Sequence, residues 1–405
     1  MMISNTQTFG HLTGEASEIF SILQKNGPLT KNSIALASNL KLTTLNRIMR
    51  PLEESRLLMQ SQIGESTGGR KPVLYDVNAN KYYLVGIDIS RTYTQVILTN
   101  LKMEVLEKLQ FPMDASFTPE NTIRTISDWL DCKLKRLKID PQKLLGIGLG
   151  TVGPLDRKKG VMINPVNFEA AGWENIQIKA MIEESLGKRV MIDNGANAAI
   201  LAEMLYGKGR NLKNVVYFNF GMGIRSGVVS SGTIIRTIND TEDAFAHMVI
   251  NIDGEACSCG NFGCIECYSS VFAITRKYFS ELKEGKFSTI PKSSNGVNYM
   301  DICHAAENGD ELCGEIIAES ASILGTGLAN FINLWNPDLV ILSGPLIKHS
   351  TLFYKISTET ASQKFYAKKD HSNIFSRGGH FEDMAIAVGS AALVVESLLT
   401  TKILG

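Results

Sequence analysis

Leu84-Val85-Gly86-Ile87-Asp88-Ile89 begins the pattern that decides the fold of most of this chain. The run is short and apolar, which is typical of a buried strand. Two further strand-like runs follow at 95–100 and 105–111, a helical segment occupies 119–137, and the next apolar strand is Leu145-Gly146-Ile147-Gly148-Leu149-Gly150. Strands that alternate with long helices predict an α/β architecture.

The order strand-strand-strand-helix-strand is that of one lobe of the actin-like ATPase (ribonuclease H-like) fold. We therefore expect a two-lobed α/β body, with residues 83–195 in the first lobe and residues 196–383 in the second. The second lobe should contain a helix at 315–334 and a buried strand at 336–342. The polar stretch 283–300 is predicted to be a loop.

The composition is that of a globular protein. The chain has 405 residues, 44% of them apolar, which is enough for two or three domains with their own cores. The formal net charge is zero, but residues 1–82 hold nine Lys or Arg against six Asp or Glu, so this segment is basic. We find no export signal and no apolar stretch of about 20 residues that could span a membrane.

The cysteines indicate a compartment and a kind of site. There are seven, an odd number, and four of them are crowded between Cys257 and Cys267. This pattern favours a metal site over a framework of disulfides, and a reducing, cytoplasmic location.

Residues 1–80 show the pattern of a winged helix-turn-helix domain. Apolar residues at i, i+3, i+4 and i+7 predict a first helix that ends near Lys25. Thr30 is a suitable N-cap for a second helix, and Thr43 for a third. Three short helices joined by short turns form the helix-turn-helix arrangement.

The third helix carries side chains suited to reading DNA. The predicted contacts are Thr43, Thr44, Asn46, Arg47 and Arg50. Arg bonds bidentately to guanine, Asn to adenine, and Thr contacts a phosphate or a thymine methyl group. Pro51 should bend or shorten the helix after Arg50, because its ring removes a backbone donor.

Two strand-like runs, 57–63 and 72–77, predict a hairpin wing after the third helix. At its glycine-bearing tip, Gly69, Arg70 and Lys71 are predicted to contact DNA, with Arg70 in the minor groove. The alternative is an ordinary three-helix domain whose basic tip is only solvated.

A histidine and a cysteine-rich stretch form the most specific motif of the chain. His247 is followed by Cys257-Ser258-Cys259-Gly260-Asn261-Phe262-Gly263-Cys264-Ile265-Glu266. This resembles the zinc motif of the ROK family, which includes sugar-responsive repressors and sugar kinases. The resemblance covers nearly the whole chain, and the winged helix places it in the repressor branch, with the layout of the xylose and N-acetylglucosamine repressors. It implies that the last helix, here 384–399, completes the first lobe.

The resemblance implies a structural zinc site formed by His247, Cys257, Cys259 and Cys264. Three thiolates and one imidazole make a closed tetrahedral set, so the Zn²⁺ ion would hold a loop and would not activate water. Cys267 is a nearby thiol that could compete. The alternative is a group of buried thiols without an ion.

The resemblance also identifies the segments that bind phosphate in ROK kinases, and this chain departs from them. One glycine loop reads Asp88-Ile89-Ser90-Arg91-Thr92, and another reads Gly221-Met222-Gly223-Ile224-Arg225-Ser226-Gly227, each with an intruding arginine. The position of the general base is Gly195, and Asp193 should point elsewhere. We therefore predict no catalytic residues and no enzymatic activity.

By the same resemblance, Asn167, Asn194, His247 and Glu266 match positions that bind a sugar effector. The sugar-binding Glu of the family is Ala244 here, so this change and Gly195 together remove two strong acceptors. Three alternatives follow: a different or modified carbohydrate binds, an ordinary monosaccharide binds weakly, or the pocket is vestigial.

The sequence thus predicts a DNA-binding transcription regulator, a repressor, controlled by a carbohydrate or a related small molecule bound between the lobes. Symmetric readers of this kind act on palindromic double-stranded operators, so we expect a homodimer or a dimer of dimers. The alternatives are a sugar kinase with an appended DNA-binding domain, and a regulator that binds DNA constitutively.

Overall fold

A computed structural model of the chain describes residues 12, 14–63, 72–165, 167–236, 244–291, 296–366 and 374–400. The described residues form two compact units. The first comprises those of Met1–Gly195 and Ile386–Gly405, and the second those of Ala196–Ala385. Each lobe has a hydrophobic core of its own.

The first unit begins with three short helices and a small antiparallel sheet. The helices are α1 (Gly14–Asn26), α2 (Lys31–Ala37) and α3 (Leu42–Glu54), and the strands are β1 (Leu29–Thr30), β2 (Leu58–Ile63) and β3 (Val73–Val77), in the order β1-β3-β2. The three predicted helices are present. Strand β1 was not predicted, because two residues are too few to show a periodic pattern. The wing tip, with Gly69, Arg70 and Lys71, lies outside the described residues.

Thr30 caps α2 as predicted, accepting a hydrogen bond from the Ser33 amide at 3.1 Å. Two other predictions about these helices need correction. Thr43 does not cap α3, which begins at Leu42 and makes no side-chain cap hydrogen bond. Pro51 does not shorten α3 after Arg50, because the helix continues to Glu54; a bend at Pro51, the other expected outcome, stays a prediction. A proline in the last turn removes one hydrogen bond, and at an exposed position water can satisfy the carbonyl that loses its partner.

The rest of the first unit is an α/β lobe whose elements confirm the predicted order. They are β4 (Tyr83–Ile89), β5 (Tyr93–Asn100), β6 (Val105–Pro112), α4 (Pro119–Arg136), β7 (Leu144–Thr151), β8 (Leu155–Asp156), β9 (Val161–Met162), α5 (Ile178–Leu186) and β10 (Val190–Asn194). Five strands form one sheet in the order β10-β7-β4-β5-β6, in which β4, β5 and β6 are an antiparallel meander and β7 and β10 run parallel to β4.

The second unit repeats this kind of sheet, in the order β13-β12-β11-β14-β15. Its elements are α6 (Gly195–Tyr206), β11 (Val215–Phe220), β12 (Ile224–Ser230), β13 (Thr233–Ile234), α7 (Glu266–Ser269), α8 (Val271–Lys283), α9 (Tyr299–Glu307), α10 (Glu311–Trp335), β14 (Leu339–Ser343), α11 (Pro345–His349), α12 (Thr351–Lys364) and β15 (Phe375–Arg377). The last helix, α13 (Ala385–Thr400), belongs to the first unit from Ile386 onward. The predicted loop 283–300 is wrong at its end, because Asn298 and Asp301 form a capping box that starts α9.

Helix α10 has the length and the apolar composition of a membrane-spanning helix, which corrects the expectation that the chain has no such stretch. However, 61% of its most apolar window is buried inside the structure. Ile317, Leu324 and Leu328 are fully buried in the core of the second unit. Packing in a core therefore accounts for the apolar character of α10.

Helix α13 packs backbone to backbone on the sheet of the first lobe. A Cβ atom added to Gly86 of β4 would lie 1.9 Å from the Ala387 carbonyl oxygen, and one added to Gly148 of β7 would lie 1.6 Å from that of Ser390. The two glycines inside otherwise apolar strands are therefore required by this close approach.

Candidate functional site

Helix α3 has a buried apolar side and an exposed polar side. Its four periodic apolar residues are buried. Of the predicted DNA contacts, Thr43, Asn46, Arg47 and Arg50 are exposed and Thr44 is half-buried. The polar side is therefore available to a major groove, which a recognition helix enters with such residues.

Lys31, on α2, belongs to the same surface and was not predicted from the sequence. Its Nζ donates to Asn46 Oδ1 at 2.8 Å, lies 3.4 Å from Glu53 Oε1 and lies 4.7 Å from the centre of the Tyr75 ring. Its only signal in the sequence is a position directly after the Thr30 cap, which does not show where the side chain lies. Lys31 holds the amide of Asn46 in place.

The two arginines of α3 differ in their contacts. Arg50 Nε donates to Glu54 Oε1 at 2.8 Å, one turn further along the helix. Arg47 is exposed and makes no hydrogen bond or ion pair with the described part of the chain. Of the two, Arg47 is the one whose guanidinium is ready to bond a base or a phosphate without breaking another contact.

The helical domain is fixed to the first lobe at the turn between β5 and β6. Gln24 of α1 donates from Nε2 to the Leu101 carbonyl oxygen at 2.7 Å, in a buried position. Lys102 Nζ lies 2.8 Å and 2.9 Å from the two carboxylate oxygens of Asp76, on β3, and 3.3 Å from the Gly27 carbonyl oxygen. We call Gln24, Asp76, Leu101 and Lys102 the joint. It links the α1–α3 domain directly to a strand pair of the lobe.

His247, Cys257, Cys259 and Cys264 come together in the second unit. Their ligand atoms all lie within 4.8 Å of one another, with Cys257 Sγ 3.5 Å from His247 Nδ1 and Cys259 Sγ 3.8 Å from Cys264 Sγ. The distance between the two sulfur atoms is far longer than a disulfide bond of about 2.05 Å. This is a Cys/His cluster that could bind a metal ion.

The cysteine-bearing loop needs its glycines. Gly260 and Gly263 have φ angles of +89° and +66°. A Cβ atom on Gly263 would also lie 1.6 Å from the Asn251 carbonyl oxygen. The loop is closed by hydrogen bonds from the Cys257 amide to the Asn261 carbonyl oxygen at 2.8 Å and from the Gly263 amide to the Glu255 carbonyl oxygen at 2.7 Å. These contacts bring Cys257 and Cys264 to the same place.

The crowded thiols do not ionise equally. Burial raises the pKa of Cys264, and hydrogen bonds to the Cys257 and Cys259 thiols add to this, so that it reaches about 12. Burial also acts upward on Cys257, but hydrogen bonds from the Cys259 amide and from neighbouring side chains outweigh it and lower the pKa to about 7. A divalent cation among these sulfur atoms would favour the thiolate form of all three.

The predicted effector residues are divided between the two units. In the first, Asn167 is exposed with a φ angle of +67°, and Asn194 is fully buried at the end of β10. Trp173, close to Asn167 in sequence, is a core residue that is 2% exposed and donates from Nε1 to the Phe117 carbonyl oxygen at 3.1 Å.

In the second unit, His247 and Glu266 are neighbours. The Glu266 amide donates to the Ala246 carbonyl oxygen at 3.0 Å, next to His247. The Glu266 carboxylate accepts a hydrogen bond from the Ile224 amide at 2.9 Å. Glu266 therefore supports the loop at 221–223 and also lies beside the Cys/His cluster.

Gly195, which the resemblance matches to the general base of ROK kinases, has no carboxylate and is the first residue of α6. Asp193, two residues earlier, is 1% exposed, accepts a hydrogen bond from the Asn194 amide at 2.9 Å and lies 3.5 Å from Arg157 Nη1. The Asp193 carboxylate is thus occupied by its own neighbours. Arg157 was not predicted, since it follows β8 in a turn without any motif.

Comparison with known proteins agrees with this architecture. The family model of the ROK family matches residues 84–397, and a model described as winged helix-turn-helix DNA-binding matches residues 17–58. The chain belongs to the ROK family.

ROK repressors are among the relatives. A xylose repressor of Bacillus subtilis (strain 168) is 28% identical over 393 residues, covering 97% of each chain. One from Caldicellulosiruptor bescii is 25% identical over 385 residues, covering 94% of this chain and 95% of the other. The DNA-binding transcriptional dual regulator NagC of Escherichia coli (strain K12) is 25% identical over 339 residues, covering 82% and 80%.

Solved ROK structures have the same fold. A transcriptional regulator described as a homologue of the E. coli MLC protein superposes with a TM-score of 0.77 at 21% identity, covering 95% of this chain and 96% of the other. A glucokinase from Streptomyces griseus, in complex with glucose and AMPPNP, gives 0.64 at 22% identity and covers 77% of this chain and 98% of the other. The two-lobed, actin-like α/β fold with an N-terminal winged helix is therefore confirmed.

Proposed function

We propose that this chain is a sequence-specific DNA-binding transcription regulator, a repressor, whose kinase-like body responds to a carbohydrate effector. The observation that carries the proposal is the exposed polar side of α3, where Arg47 has no hydrogen-bond or ion-pair partner among the described residues. The joint fixes this domain to the first lobe. The α1–α3 domain and the first lobe thus belong to one compact unit. The repressors among its relatives, which match nearly its whole length, support the same function.

The body does not transfer phosphoryl groups in this proposal. General-base catalysis needs an acceptor within hydrogen-bond reach of the attacking hydroxyl, and Gly195 has no side chain to provide one. The carboxylate of Asp193 is held by the Asn194 amide and lies beside Arg157. The arginines at 91 and 225 stand where kinases of the family have glycine.

We assign a structural zinc ion to the Cys/His cluster, because a Cys₃His set leaves no coordination position open for water. The ion would hold the loop 257–264, and with it Glu266, in position. The proposed sugar-contacting residues are Asn167, Asn194, His247 and Glu266. The proposed domains are 1–80 for DNA, 83–195 with 384–399 for the first lobe, and 196–383 for the second.

The proposed mechanism is a shift of population between two states of the body, only one of which the effector prefers. Lys102 lies in the turn between β5 and β6 and contacts Asp76 of the α1–α3 domain. A displacement of these two strands would therefore also displace α3. In a cytoplasmic homodimer or dimer of dimers on a palindromic operator, two recognition helices must match half-sites about 34–36 Å apart, so a small rotation releases DNA.

A gel shift with the promoter next to its own gene tests this proposal, repeated with a panel of neutral and charged sugars. We expect sequence-specific binding that one class of sugar weakens. A coupled ADP-release assay with the same panel and ATP should show no turnover. Turnover with any sugar would favour a kinase with an appended DNA-binding domain, and binding that no sugar alters would favour a constitutive regulator.

A further inference from the structure

The ammonium group of Lys31 is held in one place by partners on two other elements. It donates to Asn46 Oδ1 at 2.8 Å and lies 3.4 Å from Glu53 Oε1, both on α3. It also lies 4.7 Å from the centre of the Tyr75 ring, on β3. An amide oxygen, a carboxylate and the face of an aromatic ring all attract an ammonium. Lys31 is therefore already engaged in the protein without DNA.

Lys31 does not stabilise its own helix. It is the first residue of α2. Positive charges are disfavoured at this end of a helix, because its unpaired backbone N–H groups already concentrate positive charge there. The Ser33 amide is capped by Thr30 and not by Lys31. The contacts of Lys31 with α3 therefore indicate a role in the surface that α3 exposes.

Lys31 fixes which end of the Asn46 amide faces outward. An ammonium can only donate, so the Asn46 atom at 2.8 Å must be the carbonyl oxygen and not the nitrogen. The amide nitrogen, Nδ2, makes no hydrogen bond with the described part of the chain, and Asn46 is exposed. Asn46 therefore offers a pair of N–H donors to a partner.

This arrangement changes the base that Asn46 suits. Asparagine reads adenine through both ends of its amide, with Nδ2 donating to N7 and Oδ1 accepting from the N6 amino group. Here Oδ1 already accepts from an ammonium, and the adenine amino group would bring a second donor to the same atom. Guanine has acceptors at both N7 and O6 in the major groove, so it suits an amide that offers donors beside a positive charge.

We propose that Lys31 is a positioning residue that makes Asn46 a reader of guanine, where asparagine alone would favour adenine. This rests on the proposed function and narrows it to an operator with a G·C base pair at the position of Asn46. Lys31 acts through Asn46 and not through a phosphate, because its ammonium is held by Asn46 and Glu53.

Selection by the full chain from double-stranded DNA with randomised base pairs tests this assignment, followed by quantitative gel shifts on single-base variants of the selected site. Asn46→Ala identifies the base pair that Asn46 reads, as the one at which this variant no longer discriminates. Lys31→Met removes the ammonium and keeps an unbranched side chain. Lys41→Met is the matched control, because the Lys41 side chain is exposed and makes no hydrogen bond or ion pair with the described residues.

For the wild type we expect a G·C pair at the Asn46 position, preferred over A·T by about fivefold or more, the lower end of the range for one good base contact. Lys31→Met should abolish or reverse this preference, because the amide can then turn and bond both N7 and N6 of adenine. Its salt slope should equal that of the wild type, since no phosphate contact is lost. Lys41→Met should keep the preference for G·C, whatever its overall affinity.

A double variant separates a positioning role from a general effect on the domain. In an Asn46→Ala background, Lys31→Met should not change the discrimination further, because Lys31 acts through Asn46. Thermal unfolding of each variant verifies that it is folded at the temperature of the gel shifts.

An A·T pair at the Asn46 position of the wild type would overturn the proposal, as would an unchanged preference in Lys31→Met. The same holds if Asn46→Ala discriminates at every base pair as the wild type does. Each of these outcomes still requires a selected site, so the proposed function would stand. If the selection enriches no sequence, the proposed function and this inference both fail.

Discussion

Lys102 Nζ lies 2.8 Å from Asp76 Oδ1 and 2.9 Å from Asp76 Oδ2, across the boundary between the α1–α3 domain and the first lobe. Both side chains are largely buried, with 19% and 15% of their surface exposed. A pair with this geometry and burial is more than a solvated surface contact, whose contribution is small. It makes the orientation of the DNA-reading domain depend on the turn between β5 and β6.

Lys102→Met should loosen this domain. Because Asp76 then keeps a largely buried charge without its partner, we expect the free energy of unfolding to fall by about 1–3 kcal/mol. Asp76→Asn should have a similar effect, and the double variant should lose less than the sum of the two. Denaturant unfolding of the four proteins measures this coupling. Lys108→Met, an exposed lysine on β6, is the control, and additive effects of the two substitutions would contradict the joint.

Asp310 should make the second unit sensitive to acid. Burial raises its pKa, but hydrogen bonds from the amides of Cys313 and Thr289 and from neighbouring hydroxyls outweigh burial and hold the pKa far below its usual range. A carboxyl with a depressed pKa stabilises the fold above its unfolded pKa, about 3.9, and this stabilisation is lost as the pH falls further.

Asp310→Asn tests that assignment. Asp310 caps α10 by accepting from the Cys313 amide at 2.8 Å, so at pH 7 we expect the variant to lose about 1–3 kcal/mol of stability. The difference between variant and wild type should shrink as the pH falls below about 4, where the wild-type carboxyl of the unfolded chain becomes protonated. Thermal unfolding between pH 3 and pH 7 measures it. Glu311→Gln, exposed in the same turn, should show no such pH dependence.

Metal analysis of the purified chain should find one zinc ion per chain. Cys264→Ser should remove it, because a hydroxyl replaces a thiolate ligand, and should lower the thermal midpoint. Cys132→Ser, at an exposed cysteine in α4, should retain the full metal content. A wild-type chain purified without any bound metal, but folded and equally stable, would favour the alternative of unligated thiols.

The main elements of the fold were predictable because they depend on local patterns. Buried strands such as β4 and β7 are short apolar runs, and α1 to α4 follow an apolar period. The reason for Gly86 and Gly148 was not predictable, since it lies in α13, more than 200 residues further along the chain. Sequence spacing likewise indicated the Cys/His cluster but could not show how close its ligand atoms lie.

The joint could not be predicted from the sequence. Gln24 and Leu101 are 77 residues apart, Asp76 and Lys102 are 26 apart, and each pair joins segments that the patterns assign to different domains.

Arg47 and Arg50 should differ in their effect on DNA binding although they lie on the same helix. Arg47 has no partner in the described chain, so Arg47→Ala should weaken binding to the operator by about 1–3 kcal/mol and relax the choice at one base pair. Arg50→Ala should cost less, because in the free protein Arg50 is paired with Glu54 and must leave that contact to reach DNA.

Quantitative gel shifts on the operator and on single-base variants, at several salt concentrations, measure both effects. Arg124→Ala, an exposed arginine in the first lobe, controls for the loss of charge alone. Loss of a base contact changes the discrimination between operators, whereas loss of a phosphate contact weakens all operators alike and lowers the salt slope by about one. If Arg47→Ala and the wild type discriminate equally between operators, Arg47 contacts only the DNA backbone. The base-specific contacts would then have to come from Asn46 and Thr43.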